Sequence, residues 1–81
     1  MITRVLVQQK GGEFVSPNSF AAWRGFSERG FDTQFYEWPA LRDGEFTVEP
    51  STLIVGGTGA VRYALGRLGV MTPAIEDLPS P

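Results

Sequence analysis

The chain has 81 residues, with 7 Lys+Arg against 9 Asp+Glu for a formal charge of −2, and it contains neither Cys nor His. That length supports one small domain, burying ~60–65% of the surface its unfolded form exposes. The composition excludes a Cys/His metal site, a disulfide framework, a thiol nucleophile and a His-based catalytic triad, so any chemistry must come from hydroxyls, carboxylates, arginines, one lysine or backbone amides.

The acidic balance, with a pI near 4.9 and scattered positive charge, offers no basic face for phosphates and predicts no nucleic-acid partner. No apolar run approaches the ~18 residues of a membrane span, and Met1-Ile2-Thr3-Arg4 lacks the basic flank and apolar block of a signal peptide. These features predict a cytoplasmic chain with no membrane partner. With 42% apolar and 12% aromatic residues, an ordered core is expected.

Residues 2–8 hold Val5-Leu6-Val7, a β-branched apolar run that predicts a strand buried on both faces. The paired Gly11-Gly12 imply a loop. Ser16-Pro17 then reads as a helix start, with a hydroxyl N-cap and a proline where its missing N–H costs nothing. The helix is expected to run to about Arg29, with Gly30 as its left-handed cap, and its inward stripe is Phe20, Ala22, Trp23 and Phe26. The alternating stretch 31–38 predicts a second strand, with Phe31, Thr33 and Phe35 on one face and Gln34, Tyr36 and Trp38 on the other.

Pro39 is expected to end that strand, and 40–44 reads as a turn on the strength of Asp43-Gly44. The alternation of 45–49 suggests a short edge strand before Pro50. Thr52-Leu53-Ile54-Val55 is a second compact β-branched run. It leads into Gly56-Gly57-Thr58-Gly59 and a helix over 60–68, with Val61, Leu65 and Leu68 as its core stripe and Gly69 as its cap. Alternating β and α elements with right-handed crossovers predict an α/β fold: a small, open, mainly parallel sheet of order 2-1-3 with two helices and the possible extra edge strand. The domain is placed at 1–70, and 71–81 reads as an extended, proline-rich tail.

Ligands of open α/β sheets gather at the carboxyl ends of the strands where the order reverses, here between strands one and three. Two loops meet there and direct Lys10, Ser16, Asn18 and Thr58 towards one crevice. Gly56, Gly57, Thr58 and Gly59 follow a strand and open a helix, the context in which backbone amides reach phosphate oxygens. The dinucleotide fingerprint needs a small residue where Arg62 stands, and no Lys-Ser/Thr pair follows as in a P-loop. The glycines therefore serve either a tight turn or anion contact. Lys10 either grips an acidic substrate or is solvated. Arg62, in the first turn of a helix whose dipole disfavours a cation, either marks a nearby anion or is solvated. Glu76-Asp77, adjacent in an extended segment, point apart and make no acid/base pair. No catalytic set and no metal ligands can be assembled. Trp38 and Pro39 on the second strand, with Ile75 and Leu78 in the tail, are the candidate interface residues.

Leu53-Ile54-Val55-Gly56, the helix Val61-Arg62-Tyr63-Ala64-Leu65-Gly66-Arg67-Leu68-Gly69, and Pro73 with Asp77-Leu78-Pro79 cover about a third of the chain. Together they resemble the N-terminal, pre-ATP-grasp domain of a clade of ATP-grasp proteins, and the opening strand Arg4-Val5-Leu6-Val7-Gln8 fits the same Rossmann-like domain. The resemblance implies an ATP-dependent carboxylate ligase in which an acyl phosphate forms and is attacked by an amine or thiol. It implies that ATP and Mg²⁺ are held by a catalytic region beyond Pro81, the expected partner of this domain. The chain itself would be a non-catalytic domain serving substrate binding or assembly. The alternatives are a stand-alone module that self-associates as a homo-oligomer and a small anion- or nucleotide-binding domain.

Overall fold

The computed structural model describes residues 1–9, 17–56, 66 and 74–76. The elements in chain order are β1 (Arg4–Gln8), α1 (Pro17–Glu28), β2 (Asp32–Tyr36), α2 (Trp38–Arg42), β3 (Thr52–Gly56) and β4 (Ala74–Glu76). The strands form one sheet of order β2-β1-β3-β4, and every pairing is parallel. The expected α/β fold, with an open parallel sheet of order 2-1-3 and two helices, is therefore present. The sheet continues by one strand, because Ala74–Glu76 of the extended stretch 71–81 pairs with β3 in the register Ile54↔Ala74 to Gly56↔Glu76. The helix expected over 60–68 lies outside the described residues except for Gly66, which is helical.

The parallel register sorts the side chains into two rows. Arg4 faces Asp32 and Thr52 across the sheet, Leu6 faces Gln34 and Ile54, and Val5 and Val7 alternate with them onto the other side. Val5, Val7 and Val55 pack under Ala22, Trp23, Phe26, Phe31 and Phe35, which is the α1 side. Leu6, Ile54 and Tyr36 pack under Leu41 of α2, with Trp38, Phe46 and Val48 against them. The β1-to-β2 and β2-to-β3 connections run in opposite directions across the sheet, so right-handed crossovers put their covers on opposite faces.

α1 ends as its sequence predicts. Gly30 has φ +89°, its N–H donates to the Ser27 carbonyl at 3.0 Å, and the Phe31 N–H donates to the Phe26 carbonyl at 3.2 Å. This is a Schellman cap, with the expected apolar contact made by Phe26 and Phe31, whose rings meet edge-on at 5.8 Å. The inward stripe differs from expectation by one position. Ser19 is buried and Phe20 is half exposed at 49%, because Ser19, Ala22, Trp23 and Phe26 follow the i, i+3, i+4, i+7 spacing of a single face.

The segment after β2 corrects two expectations. Residues 38–42 form α2, so β2 stops at Tyr36, and the 40–44 stretch is the end of a helix rather than a free turn. Pro39 sits in the first turn, where a missing N–H has no intrahelical role. Gly44 has φ +81° and repeats the Schellman pattern, with Gly44 N–H to Leu41 C=O at 3.2 Å and Glu45 N–H to Ala40 C=O at 3.0 Å. Asp43-Gly44 thus signals a left-handed residue, which a helix cap needs as much as a turn does. Residues 45–49 are not a strand. Their alternation reflects Phe46 and Val48 pressing onto the face of the sheet, where the apolar row satisfies them without edge pairing.

Candidate functional site at the carboxyl edge

At the carboxyl ends of β1, β2 and β3 the described residues are Gln8, Gln9, Tyr36 and Gly56. The Gln9 N–H donates to the Tyr36 carbonyl at 2.7 Å, extending the β1–β2 pairing past the strand. Tyr36 is buried at 2% exposure, and its hydroxyl donates across the sheet to the Val55 carbonyl at 3.3 Å. Burial raises the phenol far above its ordinary value, so it is a neutral donor throughout the physiological range.

Gly56 closes this group. A Cβ at that position would overlap the Tyr36 hydroxyl and lie 2.9 Å from Gln8 Oε1. β3 can therefore leave the sheet beside Tyr36 and Gln8 only as glycine. This gives Gly56 a packing role in the same place where the sequence suggested ligand contact. Of the other predicted ligand residues, Asn18 is half-buried in the first turn of α1. Lys10, Ser16, Gly57, Thr58, Gly59 and Arg62 lie outside the described residues.

The predicted interface residues separate. Trp38 is half-buried and packs on the Leu6, Tyr36, Leu41 and Ile54 cluster, so its indole faces the core, whereas Pro39 is exposed. Tyr36 and Trp38 share the face that the strand alternation assigned to them, and α2 folds that face inward. Ile75 aligns with Val55 in the backbone register of β4, and Leu78 lies outside the described residues.

The amino edge of the sheet holds a second feature, a cleft of about 310 Å³ lined by Thr3, Arg4 and Asp32 at the strand starts and by Thr47, Glu49, Ser51 and Thr52 on the approach to β3. The Arg4 guanidinium is already engaged there. Nη1 donates to the Thr47 carbonyl at 3.0 Å, Nη2 to Gln34 Oε1 at 2.5 Å, and Nε lies 4.0 Å from Asp32 Oδ2. Nε is enclosed without a hydrogen-bond partner. With its arginine committed and two carboxylates on its walls, the cleft is unsuited to anions. Arg4 instead clamps residues 46–48 onto the sheet. Below it, Glu49-Pro50-Ser51-Thr52 turns the chain, with Thr52 N–H to Glu49 C=O at 2.9 Å and Glu49 N–H to Thr52 Oγ1 at 3.2 Å.

Gln8, Tyr36 and Arg4 carry no site motif in the sequence: the first two are legible only as strand-terminal residues next to the order reversal, and Arg4 as a charge at the start of an otherwise apolar strand. Among the described residues no cluster of three or more Asp or Glu could hold a metal ion, and no helix is long and apolar enough to cross a membrane. No protein-family model matches the chain, nor does any curated protein or solved structure.

Proposed function

We propose that this chain is a non-catalytic α/β domain of an ATP-grasp type carboxylate ligase, offering the carboxyl edge of its sheet to substrate or to a neighbouring domain. ATP and Mg²⁺ are bound by a separate catalytic region, and the protein works in the cytoplasm. The observation that supports the reading is the reversal of strand order between β1 and β3, with Gln8, Gln9 and Gly56 at the carboxyl ends there. Open α/β sheets receive ligands at that place. The resemblance running from Leu53 to Leu78 supports the choice of enzyme class.

The test has two parts. The purified chain, given ATP, Mg²⁺ and a panel of amino and hydroxy acids, is expected to release no phosphate; sustained turnover by the chain alone ends the non-catalytic reading. Backbone amide spectra recorded during the same titrations are expected to move at Gln8, Gln9 and Gly56 with a carboxylate ligand. Movement with inorganic phosphate or ATP instead would favour the second reading, a stand-alone anion binder, which rests on Gly56-Gly57-Thr58-Gly59. Silence at all three amides with every ligand removes both.

A further inference from the structure

β2 is an edge strand of the sheet, and its free side can be read group by group. The Asp32 N–H donates to the Thr3 carbonyl and the Tyr36 carbonyl accepts from Gln9, so Asp32, Gln34 and Tyr36 turn their backbone groups towards β1. Thr33 and Phe35 therefore turn theirs outwards. Beyond them the ends are partly closed: the Phe31 N–H donates to the Phe26 carbonyl, the Phe31 carbonyl accepts the Thr33 hydroxyl at 3.1 Å, and the Glu37 carbonyl accepts the Leu41 N–H. Thr33 and Phe35 keep two N–H and two C=O groups without a partner among the described residues.

We propose that this edge pairs antiparallel with β2 of a second copy of the chain, about a two-fold axis at Gln34, to make one continuous sheet. The pattern is self-complementary. Under that axis Thr33 of one copy exchanges both hydrogen bonds with Phe35 of the other, and the two Gln34 residues stand opposite each other at the axis. The charges also select this arrangement. Arg29 precedes β2 and Glu37 follows it, both exposed and with no ion-pair partner among the described residues, so an antiparallel pair sets each Glu37 two register steps from Arg29 of the other copy, in the diagonal range of long side chains. A parallel pair would set like against like. The two Asp32 carboxylates stand four residue steps apart, ~13 Å along the strand, and do not clash. Phe20, half exposed, lies against Trp23, which stacks on Phe35. This gives the edge an apolar flank to bury. The inference does not depend on the ligase reading.

Gln34→Glu tests the proposal without threatening the fold. Gln34 is exposed, and glutamate keeps an acceptor for Arg4 while placing two like charges at the axis. By sedimentation at high micromolar concentration, the unchanged chain is expected to be a dimer. Q34E should raise its dissociation constant at least ~tenfold, since like charges directly opposite destabilise a strand pair, with a melting temperature at low concentration no lower than that of the unchanged chain. A monomeric unchanged chain, or a Q34E dimer as tight as the original, would overturn the proposal.

Discussion

The two faces of the sheet each bury an apolar row of β1 and β3 but are covered in different ways. On one side Val5, Val7 and Val55 lie under α1, a 12-residue helix that stands between β1 and β2 in the chain. Its cover is aromatic, with Trp23 stacked on Phe35 at 5.6 Å and Phe26 against Phe31. On the other side Leu6, Ile54 and Tyr36 lie under α2, a five-residue helix, and the irregular segment with Phe46 and Val48. A helix of that length has no stability of its own in water. The α1 face is thus held by a local unit with its own cap. The α2 face relies on tertiary attachments: Leu41, Trp38, Phe46 and Val48 packed on the sheet, and the Arg4 clamp on Thr47. The second face should open first, and the carboxyl-edge site has its described side chains on that face.

Removing its main anchor tests this most severely. Leu41 is 1% exposed, and Leu41→Ala is expected to cost about 2–5 kcal/mol, measured by denaturant unfolding. Amide exchange should quicken across 38–48 far more than across α1. Equal acceleration in both would show that the faces open as one unit.

Gly56→Ala comes next, at about 1–3 kcal/mol, the usual cost of forcing an atom into a filled core. Gln8 can swing aside, but the Tyr36 side chain is buried and tied through its hydroxyl to the Val55 carbonyl. Combining Gly56→Ala with Tyr36→Phe frees the space of the hydroxyl. The pair should therefore cost less than the sum of the single changes. Strict additivity would place the strain elsewhere.

Legibility in the sequence followed the same division. β1, β3 and the order 2-1-3 were readable because Val5-Leu6-Val7 and Leu53-Ile54-Val55 are compact β-branched runs, and α1 because Pro17 and Gly30 mark its ends, whereas β4 lay in a stretch read only as an extended tail. The α2 side was harder. Asp43-Gly44 carries one signal for two structures, and Phe46 and Val48 alternate whether they sit on a strand or on a strap. Pro39, read as a strand terminator, also serves a first helical turn. The Tyr36, Gln8 and Gly56 contact depends on three segments meeting in space, and no local pattern announces that. Its ingredients were visible only as residues at the ends of strands.

α1 and α2 each end on a left-handed glycine, so one substitution can be made on each face. Gly30→Ala and Gly44→Ala each force a Cβ into that conformation, at about 1–2 kcal/mol, with nothing within 4 Å of either added atom to complicate the result. The intrinsic strain is alike, but the response should differ. Gly30→Ala is expected to lower global stability by that full amount, because α1 cannot detach without exposing Val5, Val7 and Val55. Gly44→Ala should appear mainly as faster amide exchange in 38–48, with a smaller shift of the unfolding midpoint. The reverse ranking would make α2 the more integral cover.

Tyr36→Phe is the mildest change and the most sensitive to pH. At neutral pH the lost hydrogen bond to Val55 is expected to cost about 0.5–1.5 kcal/mol. In the folded chain burial holds the phenol protonated well above its ordinary 10.0, whereas the unfolded phenol ionises near that value. The stability that comes from keeping the phenol neutral is therefore whole below pH ~10 and falls above it, by about 1.4 kcal/mol per pH unit. The phenylalanine variant lacks this slope. Unfolding free energies of the two proteins, measured from neutral to alkaline pH, should converge and then cross within about one unit above pH ~10. Parallel curves would mean that the Tyr36 hydroxyl meets water in the folded protein and that the α2 face is open at the carboxyl edge.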